Sequence, residues 1–204
     1  MNVLVACEFS GIVRDAFVSR GHYAVSCDIL PTEREGDHYQ GDVMDILDGD
    51  WDMMIAHPPC TYLSNAGIRW FNEERYGEKA VLRKKLRGDA LDFVMKLATA
   101  HIDRIAIENP VGWVNSHWRK PDQTIQPYWF GDTESKRTCL WLKDLPLLKK
   151  TDVVEPKIHG YFKRGKKKGQ PIYRTQYCKF SEDRWKLRST TSQGIADAMA
   201  DQWG

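Results

Sequence analysis

The chain has 204 residues, 42% of them hydrophobic and 28% charged, with a net charge of +2. That length and balance fit one compact domain with a sizeable core and exclude a disordered chain. No apolar run approaches the roughly 18 residues of a membrane span, so no membrane partner is expected.

Residues 1–6 carry no basic leader, so no signal peptide is expected, and residues 2–6 read as a buried strand. Glu8-Phe9-Ser10-Gly11 is a turn. Residues 13–20 have helical periodicity, with Val13, Ala16 and Phe17 on one face, and Gly21 stands where a left-handed residue ends a helix. Residues 23–27 read as a second strand closed by Asp28. This order opens a nucleotide-binding βαβ unit, in which an acid after the second strand takes a ribose diol. The turn holds one glycine rather than three, so no pyrophosphate cradle is implied. A single-glycine turn with a downstream acid suits S-adenosylmethionine, which has a ribose but no phosphate. A glycine turn and a surface aspartate in any α/β protein fit equally well.

Residues 53–56 form a short apolar run, Met53-Met54-Ile55-Ala56, which reads as a fully buried strand. His57-Pro58-Pro59 ends it, because proline cannot donate to a ladder and disfavours helix before it. Cys60 therefore sits on the rim of the sheet, where open α/β sheets bind ligands. Alone, such a cysteine reads first as a small buried hydrophobe. A second segment repeats the design: Arg104-Ile105-Ala106-Ile107-Glu108-Asn109-Pro110 is an apolar strand, a polar pair and a proline. Adjacent strands ending this way would bring Cys60 and Glu108 to one rim.

Between them, residues 62–77 form a polar and aromatic connection of the kind that serves as a lid or binding loop; Trp70-Phe71 could equally pack on the helix that follows. Residues 79–101 read as that helix, with Leu82, Leu86, Leu91, Val94, Met95, Leu97 and Ala98 as its apolar stripe and Arg83, Lys84, Lys85 and Arg87 as a solvated face. Residues 113–126 show no periodicity. Residues 126–142 read as a strand pair turning at Gly131-Asp132. Between Lys143 and Lys179 eleven Lys/Arg face three acids, a net +8 inside a chain whose total is +2. Lys163-Arg164-Gly165-Lys166-Lys167-Lys168-Gly169 is a cationic loop flanked by Tyr161, Phe162, Tyr173 and Tyr177, and cations interleaved with aromatics suit phosphate contacts and base stacking. A solvated charged hairpin is the plainer reading of the same residues. Ser189 reads as the cap of a last helix whose inner side is Ile195, Ala196, Met199 and Trp203. Five scattered cysteines without a Cys-x-x-Cys pair predict reduced thiols in a cytoplasm, and no metal site is expected.

Pro58-Pro59-Cys60 with Ser64, followed by Glu108-Asn109, resembles the cytosine-C5 DNA methyltransferase family, although Pro110 departs from its Glu-Asn-Val motif. The resemblance spans nearly the whole chain, with these two motifs as its specific parts. It implies a Rossmann-like S-adenosylmethionine-dependent methyltransferase fold, α/β, with a mostly parallel central sheet and helices on both faces. The implied organisation is a catalytic and cofactor-binding core over 1–142, a small basic insertion over 143–180 and a C-terminal helix over 181–204, in one compact domain.

By the same resemblance, S-adenosylmethionine would be held by Phe9, Ser10, Gly11, Asp28, Ile29, Asp42, Val43, Pro58, Gln193 and Ile195. Arg14 departs from the family's glycine-rich continuation of the turn, which implies a differently shaped methionine end. Cys60 would be the nucleophile, Glu108 would hydrogen-bond the ring, and Lys136 would orient the base. Glu134 and Thr138 depart from the family's Gln-x-Arg-x-Arg strand. Ser64, Arg137, Lys163, Arg164, Lys166, Lys167 and Lys168 would contact DNA from which the target cytosine is flipped. The recognition region is short, so a second chain or a homodimer would complete it. The implied setting is a bacterial or phage-infected cytoplasm. The same chemistry on RNA or a free cytosine nucleotide, a catalytically idle nucleic-acid-binding protein of this fold, and a cysteine hydrolase are the alternatives. The hydrolase is disfavoured because no strand-to-helix nucleophile elbow is present.

Overall fold

The computed structural model describes residues 1–173 and 184–204. Tyr177, Cys178 and the tail of the basic segment lie outside the described residues.

Seven strands form one sheet in the order β3-β2-β1-β4-β5-β7-β6. They are β1 (Asn2–Ala6), β2 (Tyr23–Asp28), β3 (His38–Gln40), β4 (Met53–Ala56), β5 (Arg104–Pro110), β6 (Gln123–Ile125) and β7 (Thr138–Lys143). Neighbours from β3 to β5 pair in parallel, and β7 runs antiparallel to both β5 and β6. The architecture is α/β with a mostly parallel sheet, consistent with a Rossmann-like fold. The chain builds outward from β1 to β3 and then returns to β4 on the other side of β1. In open α/β sheets such a reversal, here at the carboxyl ends of β1 and β4, is where ligands bind.

Alternation along the strands sorts the core into two faces. Val3, Val5, Met53, Ile55, Ala106 and Leu140 pack on one side with helix α1 (Ile12–Val18) and the C-terminal helix. Leu4, Ala6, Met54, Ala56, Ile105, Ile107 and Trp141 pack on the other, against Val94 and Leu97 of helix α3 (Glu78–Ala98) and Val114 of helix α4 (Trp113–His117). A short helix, α2 (Glu73–Tyr76), leads into α3. The tail adds helix α5 (Arg184–Ser189) and helix α6 (Gln193–Trp203), which lies along α1 and buries Ile195, Ala196, Met199 and Trp203 as expected.

Several expectations are corrected. Ser189 ends α5, and Ser192 holds the N-cap position of α6. Leu82 is 57% exposed, because only the C-terminal part of α3 lies on the sheet and its buried side chains are Ala80, Val94 and Leu97. The strand pair before Lys143 starts earlier, at Gln123. A 3-10 turn (Pro127–Trp129) and an irregular stretch over 130–137 separate its strands. The aperiodic region after Trp113 contains α4 and β6, both too short to show a period. Of the segment expected as a basic insertion, Leu148 joins the core and Asp152 bridges to Phe130. Only the part from Ile158 onward forms a separate ribbon, β8 (Ile158–Tyr161) with β9 (Pro171–Tyr173). Among the described residues no helix is long and apolar enough to cross a membrane.

Candidate functional site

Strands β4 and β5 pair up to Ala56↔Ile107, so the next residues, His57 and Glu108, stand opposite each other. His57 Nδ1 lies 3.4 Å from Glu108 Oε2, with both side chains largely buried. One step further, the Asn109 side-chain Nδ2 donates to the Pro58 carbonyl at 2.8 Å, which fixes the prolyl turn. β5 continues in register with β7 beyond the end of β4, pairing Glu108 with Leu140 and Pro110 with Thr138. Glu108 is therefore anchored by a full strand on one flank and opens onto the rim on the other.

Cys60 is exposed, and its carbonyl accepts from the Leu63 and Ser64 amides at 3.1 and 3.0 Å in a tight turn. The turn is pinned to the segment after Glu108: Ser64 bridges to Gly112, and the Trp113 amide donates to the Leu63 carbonyl at 2.7 Å. Desolvation of the sulfur and the nearby Glu108 carboxylate push the Cys60 pKa up, against the charges of Lys136 and Arg188. Burial pushes Glu108 up as well, but the His57 bond, Lys136 and the charge of His57 together outweigh it and hold this carboxyl below its ordinary value.

Glu108 opens into a cleft of about 360 Å³ whose walls include Lys136, Thr138, Ser192, Ile195 and Glu33. Lys136 Nζ donates to the Arg188 carbonyl at 2.9 Å, tying the wall before β7 to α5. Ser192 Oγ is buried with no protein partner among the described residues. Cys60 is not in this lining. Glu108 and Lys136 thus share the cleft, and Cys60 lies beside it within electrostatic reach of both.

Most residues expected to hold a cofactor follow the carboxyl ends of β1 to β4, while Gln193 and Ile195 stand on α6, with Ile195 in the wall of the Glu108 cleft. Phe9, Ser10, Val43, Pro58 and Ile195 are buried, Gly11 is left-handed at φ 71°, and Ile29 and Gln193 are exposed. Asp28 accepts from the Leu30 amide at 3.0 Å, and burial raises its pKa. Asp42 caps the short 3-10 turn Val43–Asp45 through the Met44 amide. Asp28 and Asp42 converge on Cys7 and Cys27: burial first, then both carboxylates, push the Cys27 thiol up to about 12 and move Cys7 in the same direction. Cys7 is itself left-handed at φ 59°, a conformation uncommon outside glycine that concentrates at functional turns.

The turn after β1 and the start of α1 hold two residues, Glu8 and Arg14, that the sequence reading passed over or noted only as a departure. Buried Glu8 accepts from the Val13 and Arg14 amides at 2.7 and 3.2 Å, capping α1 with its carboxylate. Arg14 is wholly buried and donates to Ser26, Thr32, Asp15 and the carbonyls of Arg34 and Glu35. Its guanidinium fills the space beside Gly11, where an added Cβ would meet it at 2.6 Å. The segment it holds folds back over the turn, with the Glu33 amide donating to the Phe9 carbonyl at 2.8 Å.

The connection after Cys60 is a 3-10 stretch (Asn65–Phe71) leading into α2 and α3. Two arginines expected on a solvated face hold it instead. Arg83 donates to the Thr61 carbonyl at 2.9 Å and lies over the rings of Tyr62 and Phe71. Arg87 lies over Phe71 and, at 3.4 Å from the ring centroid, over Trp113. Phe71 thus packs on the helix, while Trp70 stays 41% exposed.

Lys163, Arg164, Lys166, Lys167 and Lys168 are all exposed at the tip of the β8–β9 ribbon, whose loop closes through Phe162 and Gln170. The root of the ribbon is bonded to the cleft wall, since the Lys157 amide donates to the Thr133 carbonyl at 2.8 Å. Arg137 is exposed and Ser64 half-buried. Among the described residues no group of three or more His, Cys, Asp or Glu could hold a metal ion. Compared with known proteins, the chain matches no family model and no curated relative.

Proposed function

We propose that the protein is an S-adenosylmethionine-dependent methyltransferase that methylates carbon 5 of cytosine in DNA through Cys60. The observation that carries this reading is one rim: an exposed thiol after β4 lies within electrostatic reach of a carboxylate on β5 and of Lys136, and the last two share a cleft at the carboxyl edge of a mostly parallel sheet.

Asp28, at the end of β2, suits a ribose diol: its carboxylate is partly desolvated and accepts from the Leu30 amide. Phe9, Ser10, Asp42, Val43, Pro58 and Ile195 would line the rest of the cofactor site, with Arg14 narrowing its end at Gly11. When bound, the sulfonium supplies an electrophilic methyl group.

The protein's own residues make the ring able to accept that methyl. Cys60 ionises and its sulfur adds to carbon 6, which turns carbon 5 into an enamine-type nucleophile. Glu108 hydrogen-bonds the ring edge, and Lys136 orients the base and offsets the charge that develops. After transfer, a water molecule takes the carbon-5 proton, which restores the double bond and expels Cys60 as thiolate. A base within a duplex cannot reach this cleft, so the nucleotide leaves the stack.

Incubation with methyl-labelled S-adenosylmethionine and duplex DNA, tRNA or dCMP tests the reading. Label in duplex DNA at carbon 5 of cytosine is expected. Cys60→Ser should abolish transfer while leaving cofactor binding intact. Retained turnover in that variant would remove the covalent mechanism, label confined to tRNA or dCMP would change the substrate, and no label in any substrate would remove the activity.

A further inference from the structure

The connection between β2 and β3 is built more firmly than a surface loop requires. Arg14 donates to the Thr32 hydroxyl at 3.4 Å and to the carbonyls of Arg34 and Glu35 at 3.2 and 2.7 Å, so one wholly buried guanidinium grips residues 32–35. Gly36 lies against the same group, where an added Cβ would meet Arg14 Cζ at 2.8 Å. Before them, the His38 ring bonds the Leu30 carbonyl through Nε2 at 3.0 Å. Glu33 stands in the middle of this strap. Its amide donates to the Phe9 carbonyl at 2.8 Å, and it contributes to the wall of the Glu108 cleft. The strap thus holds an acid beside the Phe9–Gly11 turn before any ligand arrives, which spares the ordering cost of binding.

The Glu33 side chain is 44% exposed and takes the Lys186 ammonium at 2.8 Å. An ion pair this exposed contributes little to stability. It does show that an ammonium group is received at this point of the cleft wall. Lys186 stands on α5, whose Arg188 carbonyl accepts from Lys136 of the same cleft. Acids outnumber bases in the lining, with Glu33, Glu108, Asp132 and Glu134 against Lys136. The methyltransferase reading, on which this inference rests, puts the amino-acid end of S-adenosylmethionine at the Phe9–Gly11 turn, and that end carries an α-ammonium. We propose that Glu33 is a cofactor-binding residue that takes this α-ammonium, and that Lys186 fills the same place in the free protein and gives way when the cofactor binds. Exchange of one ammonium for another keeps Glu33 paired throughout, so the acid is never left without a partner.

Glu33→Gln and Lys186→Met break the same ion pair, yet they should act on binding with opposite signs. Isothermal titration calorimetry with S-adenosylmethionine, in the absence of nucleic acid, reads this without any need for catalysis. Glu33→Gln should weaken binding by about three- to tenfold, the loss of one charge-assisted hydrogen bond at a half-exposed site. Lys186→Met removes the competitor and should tighten binding by about two- to fivefold. 5′-Methylthioadenosine keeps the adenosine and the sulfur but lacks the amino acid, so wild type and both variants should bind it equally. A pair that serves only the fold would make the two variants behave alike. Unchanged affinity for S-adenosylmethionine in Glu33→Gln, weakened or unchanged affinity in Lys186→Met, or a loss in Glu33→Gln that is equally large for 5′-methylthioadenosine each overturns the assignment while leaving the methyltransferase reading in place. Wild-type protein that binds neither compound would overturn that reading, and the assignment with it.

Discussion

Cys60 sits under opposing influences that a single substitution can separate. Partial desolvation of its sulfur by the surrounding turn and the Glu108 carboxylate favour the neutral thiol, while Lys136 and Arg188 favour the thiolate. The balance leaves the pKa raised, so at neutral pH the resting protein holds mostly thiol and the nucleophile forms as the solution becomes more basic. Iodoacetamide labelling of Cys60, followed by peptide mass mapping, should therefore keep accelerating with pH past the ordinary thiol value of 9.0. Glu108→Gln removes a negative charge, and at pH 8 it should speed labelling by roughly three- to tenfold; Lys136→Met should slow it. Unchanged labelling in Glu108→Gln would mean that the carboxylate is too far from the sulfur to matter. The other described thiols supply an internal contrast, since Cys27 and Cys139 are buried and Cys7 is only partly accessible.

Among the elements, those that position the site were legible because they are buried on both faces. Residues 3–6, 53–56 and 105–107 are continuous apolar runs, as parallel strands covered by helices must be, and the prolines mark the ends of β4 and β5. β3 and β6 have three residues each and mix polar side chains, so neither carries a period. The stripe on α3 identified a helix but not which turns of it have a neighbour, which is why Leu82 was misplaced. His57, Asn109 and Arg14 act through partners 51, 51 and up to 21 residues away, and only the register of β4 on β5 and the fold of residues 32–36 bring them together. Gly112 belongs with these: its extended backbone gives no cue, yet an added Cβ would run into the Leu63 carbonyl. Gly112→Ala should thus push the Cys60 turn off the β5 segment, costing about 1–3 kcal/mol by overpacking. That corresponds to a Tm lower by roughly 3–10 °C for a domain of this size, with faster proteolysis within residues 61–71. A variant with unchanged Tm and cleavage would show that the bridge between the two loops does not organise the rim.

For the molecule as a whole, charge is segregated rather than balanced. The +8 between Lys143 and Lys179 leaves the remainder net acidic, and five of those cations crowd the exposed tip of one two-stranded ribbon. A two-stranded ribbon is an element that the major groove of B-form DNA admits, and its root bonds to Thr133 beside the cleft wall, so under the proposed function the tip and the cleft would engage one duplex. An isolated hairpin is marginally stable, yet these cations make no contribution to the core, which separates binding from folding. Replacing Lys163, Arg164, Lys166 and Lys168 by alanine should leave the Tm within about 2 °C of wild type. The same variant should flatten the dependence of log affinity on log salt by about 3–4, because each phosphate contact releases roughly 0.9 counterion from duplex DNA. Fluorescence anisotropy with a labelled duplex between low and physiological salt reads both affinity and slope. Weaker binding with an unchanged slope would mean that the ribbon makes no phosphate contacts, and unchanged binding would move the DNA surface elsewhere, with Arg137 and the exposed Trp70 as the next groups to replace.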